Sequence, residues 1–367
     1  IKNYSSAPGL FTQSPDRRWL LIQNTPPDGK GFVIDEYDTT DLSQKSRSLS
    51  LPTNLLTNSE QPGGTLKEVE WSTDNVHVLL RHAFNGGTEF IIVNRENPAE
   101  SLNLNRTLKA NPTEVTMRNK KVAQLYLYDR PSGNLQLGDV NTGEVTAPLL
   151  QQVLAFKSYG NNLISYVTTA NSPAGSVTAR IWDNGKSYPL YQFPAGEHYL
   201  LDAAQFQGHW YYAAGSSSSE RVNIYRDPLS SLKNSQKAFP LLALRNPGAT
   251  IVSFSNNARF IQTQAGQNLA VYDIETLNSY HYTIPNPLSA PLRWMDGHRL
   301  VGASSGSVWV SDYDGLNSRL LTASSLLNGG FFDRDYQQLF VLSPADSSGA
   351  VVLQSVDMRA GVDLPKQ

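Results

Sequence analysis

Residues Gly302-Ala303-Ser304-Ser305-Gly306 match the G-x-S-x-G pattern that places a serine nucleophile on a sharp turn. That chemistry needs a strand before the serine, a helix after it, an oxyanion hole and a histidine further along the chain. Here a second strand-like segment follows the motif, and no histidine lies beyond His298. The sequence therefore predicts a hairpin loop rather than a catalytic serine, and we expect Ser304→Ala to leave any hydrolytic activity unchanged.

Several oxygen-bearing side chains at one turn raise the question of a metal site. Asp312, Asp314 and Asn317 could coordinate calcium, but an EF-hand loop needs a glutamate at its twelfth position, where this chain has Ala323. The histidines show no H-x-H or H-E-x-x-H spacing, and the chain has no cysteine, which excludes thiolate chemistry and a Cys-ligated metal. We therefore expect a turn capped by its own carboxylates, with no metal, no cofactor and no catalytic residue.

A further group of residues has the chemistry of a recognition site. Glu197, His198 and Tyr199 combine an acid, an imidazole and a phenol between the predicted fourth and fifth repeats. Arg245 and Asn246 follow in the next connection between repeats, so we expect all five residues on one rim of the molecule. Such side chains suit binding of a glycan or a peptide. The alternative interpretation is ordinary loop polarity.

The elements that must position these residues form a repeat. An aspartate ends the third strand-like segment of most repeats, at intervals of about 44 residues. It occurs at Asp38, Asp139, Asp183, Asp227, Asp273, Asp312 and Asp357, and Arg95 stands at the corresponding place in the second repeat. A period of that length is the signature of a β-propeller, in which each repeat is one four-stranded blade. Because aspartate bonds readily to nearby backbone N–H groups, we expect these residues to set the turns that follow.

The strand pattern divides the chain into eight repeats without a long helix. Second strands such as WLLIQN (19–24) are continuously apolar, as expected of strands covered on both faces. The sequence thus predicts one all-β domain over residues 1–367, an eight-bladed β-propeller of four-stranded blades, with seven blades as the alternative. Either residues 362–364 or residues 1–5 complete the last blade. The predicted blades lie near residues 9–53, 66–105, 113–150, 151–194, 199–245, 248–286, 288–324 and 327–365.

Composition excludes several classes of partner. The formal net charge is −2, with 30 basic and 32 acidic residues mixed along the chain, so we expect no nucleic-acid partner. Apolar runs are too short to cross a bilayer, so we expect no direct membrane insertion of this segment. The chain begins at Ile1 rather than methionine and lacks cysteine, which fits a mature or excised part of an exported protein. We expect a membrane anchor or targeting segment before Ile1.

Several segments resemble known propeller repeats. VWVSDYDGLNSRLLT (308–322) resembles the strand, D-x-D-G-x-N turn and outer strand of the TolB-type, WD-like repeat, and SPDRRWLLIQ (14–23) resembles its opening half. EVEWSTDNVHVLL (68–80) and TEFIIVNRENP (88–98) are similar, more narrowly, to the propeller region of bacterial PEGA-domain surface proteins. These resemblances imply a propeller in the periplasm or on the cell surface, and they supply no catalytic residues.

Two classes of function remain open. We expect a non-enzymatic binding or scaffold module, extracytoplasmic and monomeric, that contacts a protein or a cell-envelope glycan. Leu55-Leu56, Leu200-Leu201 and Leu326-Leu327 either form an apolar rim for that contact or are buried under neighbouring loops. The alternative is a glycan hydrolase or lyase with its site at the channel mouth, which would need two facing carboxylates. The acids of the predicted first strands are Glu68, Glu70, Glu114 and Asp333.

Overall fold

Eight four-stranded antiparallel sheets make up the described part of the chain. The computed structural model describes residues 2–24, 33–41, 45–58, 64–160, 162–304, 306–322, 329–345 and 349–358. Seven of the sheets are simple meanders whose strands pair in chain order. The prediction of an all-β, eight-bladed propeller is therefore confirmed, and the seven-bladed alternative is wrong.

The strands follow the chain from blade to blade, each blade running from the channel outward. The first described strand is β1 (Lys2–Tyr4). Blades one to four consist of β2 (Phe11–Gln13), β3 (Trp19–Asn24), β4 (Val33–Asp38) and β5 (Arg47–Ser50); β6 (Thr65–Trp71), β7 (His77–Phe84), β8 (Gly87–Asn94) and β9 (Leu102–Asn103); β10 (Glu114–Met117), β11 (Gln124–Asp129), β12 (Asn134–Asp139) and β13 (Glu144–Val145); and β14 (Val153–Tyr159), β15 (Leu163–Thr168), β16 (Ser176–Asp183) and β17 (Lys186–Pro194).

Blades five to eight repeat this arrangement. They consist of β18 (Tyr199–Phe206), β19 (His209–Ser216), β20 (Arg221–Arg226) and β21 (Leu242–Arg245); β22 (Ile251–Phe254), β23 (Phe260–Ala265), β24 (Asn268–Asp273) and β25 (Asn278–Thr283); β26 (Arg293–Trp294), β27 (Arg299–Ser304), β28 (Ser307–Asp312) and β29 (Arg319–Thr322); and β30 (Phe331–Phe332), β31 (Gln338–Pro344) and β32 (Val351–Asp357). The described helical segments are short: α1 (Leu104–Thr107), α2 (Pro228–Lys233) and the 3₁₀ turns Pro98–Glu100 and Arg118–Lys120.

The last blade is completed by the first described strand. β1 pairs antiparallel with β32, which sets residues 2–4 opposite residues 351–353. Of the two predicted ways of closing the ring, the structure thus has the one that uses residues 1–5, while residues 362–364 lie outside the described residues. Tyr4 is buried, and its hydroxyl lies 2.7 Å from that of Tyr37 on β4 in blade one. The same strand therefore completes blade eight and contacts blade one.

The core lies between successive blades. On β3, Leu20 packs against residues of blade eight such as Phe340, whereas Leu21 packs against residues of blade two such as Val78. Successive strand residues point to opposite faces of a sheet, and each face of a blade is covered by a neighbouring blade. This explains why second strands such as β3 carry consecutive apolar residues instead of alternating apolar and polar ones.

The periodic aspartates act on the local backbone in different ways. At Asp38, Asp139 and Asp273 a carboxylate oxygen accepts a hydrogen bond, 2.9 Å long in each case, from the backbone N–H two residues further along. The predicted turn-setting role is confirmed at these three positions. At Asp227 the carboxylate instead accepts from the N–H of Trp210, 2.8 Å away at the start of the second strand. The periodic aspartate therefore stabilises the turn that follows it in some blades and the neighbouring second strand in another.

Arg95, the exception to the aspartate pattern, links blade two to blade one. Its guanidinium carbon lies 4.0 Å from the ring centre of Trp19, and Nη1 donates to Glu36 Oε2 over 3.2 Å. Both charged side chains are nearly inaccessible to water. A buried cation of this kind needs a charged partner, which Glu36 provides from the third strand of the preceding blade.

Candidate functional site

The candidate site is the central channel, which is surrounded by the innermost strands. Contacts between successive first strands, such as β2 with β6 and β14 with β18, form the inner ring. Each of these strands is paired on one side only, so its other edge presents backbone N–H and C=O groups towards the channel. Unpaired backbone groups in a confined space are costly, so side chains that bond to them stabilise the ring.

Side chains from neighbouring blades satisfy several of these edge groups. Asp202 of blade five accepts a hydrogen bond from the N–H of Phe254 in blade six over 2.9 Å. Glu70 of blade two accepts from the N–H of Met117 in blade three. Gln13 of blade one donates to the carbonyl of Phe332 in blade eight over 2.8 Å. These acids and amides therefore join adjacent blades at the channel wall.

Two cavities of about 220 and 480 Å³ lie in the channel and share Arg293, Gly330 and Phe331 as lining residues. Arg17 lines the smaller cavity, and Lys67 and Glu68 line the larger one. We call Arg17, Lys67, Glu68, Arg293 and Phe331 the lumen site. The smaller cavity also includes turns between first and second strands, which places it at that mouth of the channel.

The two arginines of the lumen site are held in fixed positions. Arg293 Nη2 donates to the carbonyl oxygen of Gly330 over 2.8 Å, and its guanidinium carbon lies 5.1 Å from the ring centre of Phe331. Arg17 Nη2 donates to the carbonyl oxygen of Met295 over 2.9 Å, and its guanidinium lies 4.1 Å from the ring centre of Tyr336. A backbone acceptor and an aromatic face thus orient each planar cation.

Glu68 is the acid of the lumen site. Burial raises the pKa of its carboxyl, while the hydrogen bond from Thr12 Oγ1 and the charge of Arg293 oppose that rise. Burial likewise lowers the pKa of the Arg293 guanidinium, and Glu68 opposes the effect. The register of β6 shifts between Glu68 and Glu70, which marks a β-bulge at a channel-facing strand. The surroundings therefore disfavour the charged forms of both residues.

The other predicted first-strand acids are engaged elsewhere. Glu114 forms an ion pair with Arg130, and both side chains are largely exposed. Asp333 caps a turn by accepting from the N–H groups of Gln337 and Gln338 over 2.7 and 2.9 Å. Of the four acids, Glu68 and Glu70 therefore face the channel, and Glu70 already bonds to the backbone of blade three.

The predicted recognition residues share one end of blade five but do not form one compact cluster. Tyr199 lies on the innermost strand and Arg245 on the outermost, so about 14 Å, three strand spacings, separates their backbones. Glu197 and His198 are exposed. Asn246 is buried and donates to the carbonyl of Thr263 over 3.1 Å, which joins blade five to blade six.

Arg245 and Asn246 border a separate cleft between blades five and six. This cleft measures about 650 Å³ and is also lined by His281 and Tyr282, whereas Glu197 and His198 do not line it. Arg245 is exposed and lies 3.9 Å from Glu220. Glu197 and His198 thus lie in an exposed loop next to the innermost strand, whereas Arg245 and Asn246 border a cleft at the perimeter.

The paired leucines do not form an exposed rim in the described residues. Leu55, Leu56, Leu200 and Leu201 are all buried, so the alternative of burial under neighbouring structure is confirmed for these four. Leu326 and Leu327 lie outside the described residues.

The remaining sequence motifs have structural roles. Ser304 ends β27, a strand follows it, and its Oγ accepts from Trp309 Nε1 over 3.2 Å, as expected of a hairpin. At the Asp312 turn, Asp312 Oδ2 accepts from Asn317 and Asp314 Oδ1 accepts from the N–H of Leu316, over 2.6 and 3.0 Å. Among the described residues there is no group of three or more potential metal ligands, and no helix long and apolar enough to span a membrane.

Arg293 and Arg17 were not identified as site residues from the sequence. A usable signal was present, because Arg293 is a charged residue inside the otherwise apolar segment PLRWM (291–295), which contains the innermost strand β26. Charged residues on strands that face a channel are costly unless they are paired or bind a ligand. Arg17 gave no such signal, since it belongs to a polar turn like those of the other blades.

Comparison with known proteins establishes the fold and nothing narrower. No protein-family model matches the chain, and no curated protein does. The Dos1 propeller has a TM-score of 0.53 and 15% identity, covering 97% of this chain and 93% of its own. Hsv2 of Kluyveromyces lactis has a TM-score of 0.50 and 9% identity, covering 96% and 98%. The dihydro-heme d1 dehydrogenase NirN has a TM-score of 0.50 and 12% identity, covering 86% and 66%. At these identities the likeness concerns the propeller fold alone.

Proposed function

We propose that this propeller is a non-enzymatic binding module for a protein or a cell-envelope glycan. The observation that carries the proposal is the use of the channel acids: Glu70 and Asp202 bond to the backbone of the next blade. A carboxylate committed to a structural hydrogen bond is poorly placed to exchange protons with a substrate. The lumen site then serves recognition, together with the exposed residues Glu197, His198 and Arg245 at one end of blade five, which we call the blade-five surface.

The proposed location is outside the cytoplasmic membrane, in the periplasm or on the cell surface, with an anchor carried by a segment before Ile1. The support comes from the resemblance of several segments to TolB-type repeats and, more narrowly, to PEGA-domain surface proteins. A chain without cysteine also needs no oxidative folding there. We propose that the molecule works as a monomer.

Capture from an envelope extract tests this function. Immobilised protein is expected to retain one component, and the exposed pair His198→Ala and Arg245→Ala is expected to reduce retention if the blade-five surface makes the contact. A matched control carries Lys121→Ala and Lys186→Ala, exposed cations at the opposite end of the blades. Protease treatment of the extract distinguishes a protein from a glycan. Retention no greater than on a blank support contradicts the proposal.

The second candidate is a glycan hydrolase or lyase with its site in the channel. It is favoured by Glu68, whose pKa is raised by burial beside the cation of Arg293. A raised pKa of this kind is the direction of shift found in carboxyl groups that act as general acids. Activity on a panel of envelope glycans that is lost in Glu68→Gln and kept in Glu114→Gln would favour this candidate. Absence of turnover in the parent protein argues for the binding module.

A further inference from the structure

The channel cavities are positively charged although the whole chain is slightly negative. Three channel cavities, including one of about 320 Å³ beside Glu70, are lined by described residues that carry six charges. Four are cations, Arg17, Lys67, Lys120 and Arg293, and two are carboxylates, Glu68 and Glu70. Their net charge is therefore +2, against −2 for the chain. A confined surface of one sign concentrates ligands of the opposite sign.

Arg17 and Arg293 have the geometry to bind a carboxylate. Both line the same cavity of about 220 Å³, and none of the described residues that line it is acidic. Each is oriented by a backbone carbonyl and an aromatic ring, so little side-chain freedom is left to lose on binding. A planar guanidinium offers parallel N–H donors that match the two oxygens of a carboxylate.

The rest of the lining favours a sugar ring as the carrier of that carboxylate. Trp294 and Phe331 supply aromatic surface, while Gln13 and Asn256 supply amide groups. Specific sites for small polar ligands combine such apolar surface with a few placed hydrogen-bonding groups. The volume and the mixture of ring surface, amides and cations fit one acidic monosaccharide unit better than an extended chain.

We propose that the lumen site binds a sugar that bears a carboxylate, with Arg293 and Arg17 contacting the carboxylate and the ring lying against Trp294 or Phe331. This inference rests on the proposed function, in the case where the bound partner is a glycan, and it names the chemical class of that glycan. Arg293 also bridges the two cavities that share it, so a longer acidic glycan would continue towards Lys67.

Titration of the purified protein with D-glucuronate at low ionic strength, followed by calorimetry or NMR, tests the proposal. Saturable binding is expected, D-glucose is expected not to bind, and added salt is expected to weaken binding because it screens the ionic contact. Arg293→Gln and Arg17→Gln are each expected to lower the affinity about tenfold. Arg319→Gln, an exposed arginine on the outer strand of blade seven, is the matched control and is expected to bind as the parent does.

The two arginine variants keep the test meaningful if one of them folds poorly. Arg17 is half-buried at the channel mouth, so its replacement disturbs the core less than that of Arg293. Absence of saturation with glucuronate overturns the proposal, as does unchanged affinity in both variants. Equal binding of inorganic phosphate, or preferential binding of tetra-aspartate, shows that no acidic sugar is selected and also overturns it. If glucuronate fails while envelope capture succeeds, the binding function stands and only the ligand class is wrong.

Discussion

A single aspartate side chain stabilises this fold in two ways, because it accepts hydrogen bonds from the turn beside it and also forms an ion pair. Asp273 accepts from the N–H groups of Glu275 and Thr276, and its two oxygens accept from Arg259 over 3.0 and 2.7 Å. Burial alone would raise the pKa of this carboxyl, but the hydrogen bonds from Arg259 and Thr276 outweigh burial and leave the pKa below its ordinary value. The charged form is therefore favoured by the fold.

Replacing Asp273 with Asn is expected to lower the free energy of unfolding by about 1.5–3 kcal/mol at pH 7, because charge-assisted hydrogen bonds are lost. The folded pKa is depressed, so the stabilisation is complete above the unfolded pKa of about 3.9 and is lost as pH falls through the folded value. The difference between parent and variant in urea unfolding should accordingly shrink below that pH. Asp357→Asn, at the equivalent but exposed position of blade eight, is the control and should cost little. An equal loss in both variants would contradict this account.

The buried pair Arg95–Glu36 is expected to behave differently from a surface ion pair. Truncation of Arg95 to Met leaves Glu36 buried without its nearest cation and should cost about 3–5 kcal/mol at pH 7. Burial already raises the pKa of Glu36, against the opposing charge of Arg95. An acid with a raised folded pKa destabilises the fold above that pKa and is relieved as pH falls through it.

The cost of Arg95→Met should therefore be smaller at pH 5 than at pH 7, as measured by denaturant unfolding. Adding Glu36→Gln should restore part of the lost stability, because it removes a buried charge whose remaining cation is Arg47, 3.8 Å away and half-exposed. A pH-independent cost would mean that Arg95 acts through its stacking on Trp19 instead.

At the scale of the elements, the innermost strands have one edge without a neighbouring strand. Side chains form hydrogen bonds to the backbone groups of that edge. Asp202 shows this most fully, since one oxygen accepts from the N–H of Phe254 and the other from Lys157 and Tyr159. Burial raises the pKa of the Tyr159 hydroxyl, with Asp202 adding to the rise, so that phenol stays a hydrogen-bond donor at physiological pH. One carboxylate thus connects β14, β18 and β22.

Asp202→Ala is expected to lower the free energy of unfolding by about 1–3 kcal/mol, because a confined N–H and a phenol lose their acceptor. Glu144→Ala, an exposed acid on the outer strand β13, should change stability by less than about 0.5 kcal/mol. Thermal and urea unfolding of both variants measure the difference. Hydrogen exchange at Phe254 should quicken in Asp202→Ala; if it does not, the inter-blade link does not protect that edge.

On the scale of the whole molecule, the ring is held closed by three residues from the start of the chain. β1 supplies the outer strand of blade eight, so the ends of the described chain are joined by the ladder between β1 and β32. Because each blade is covered by its neighbours, opening one junction exposes the facing surfaces of blades eight and one. Closure therefore contributes to the stability of the complete ring.

Deletion of residues 1–5 is expected to lower the melting temperature clearly, and Tyr4→Ala should cost about 3–5 kcal/mol through the loss of a buried aromatic side chain. Tyr4→Phe, which removes only the hydroxyl bonded to Tyr37, is the matched control and should cost about 1 kcal/mol. A synthetic peptide of residues 1–6 should restore stability to the shortened chain, whereas a scrambled peptide should not. Unchanged melting of the shortened chain would show that β1 does not close the ring in solution.

The sequence by itself determined the repeat architecture of this protein. The number of blades, their second strands and turn aspartates such as Asp38 and Asp273 follow from short-range patterns. These patterns depend on two local properties, the alternation of side chains along a strand and the bonding of a carboxylate to the turn beside it. Both act over a few residues, so they can be read without knowing the rest of the fold.

The tertiary structure alone decided how the ring closes, why Arg95 replaces an aspartate, and which residues meet in the channel. Glu68 comes from blade two and Arg293 from blade seven, and their proximity depends on how eight twisted sheets close into a circle. Tyr199 and Arg245, which the sequence places on one rim, share one end of blade five, but the three strand spacings between them follow from the order of strands in the folded sheet. Contacts across a ring are set by the summed geometry of every blade, which local sequence patterns do not encode.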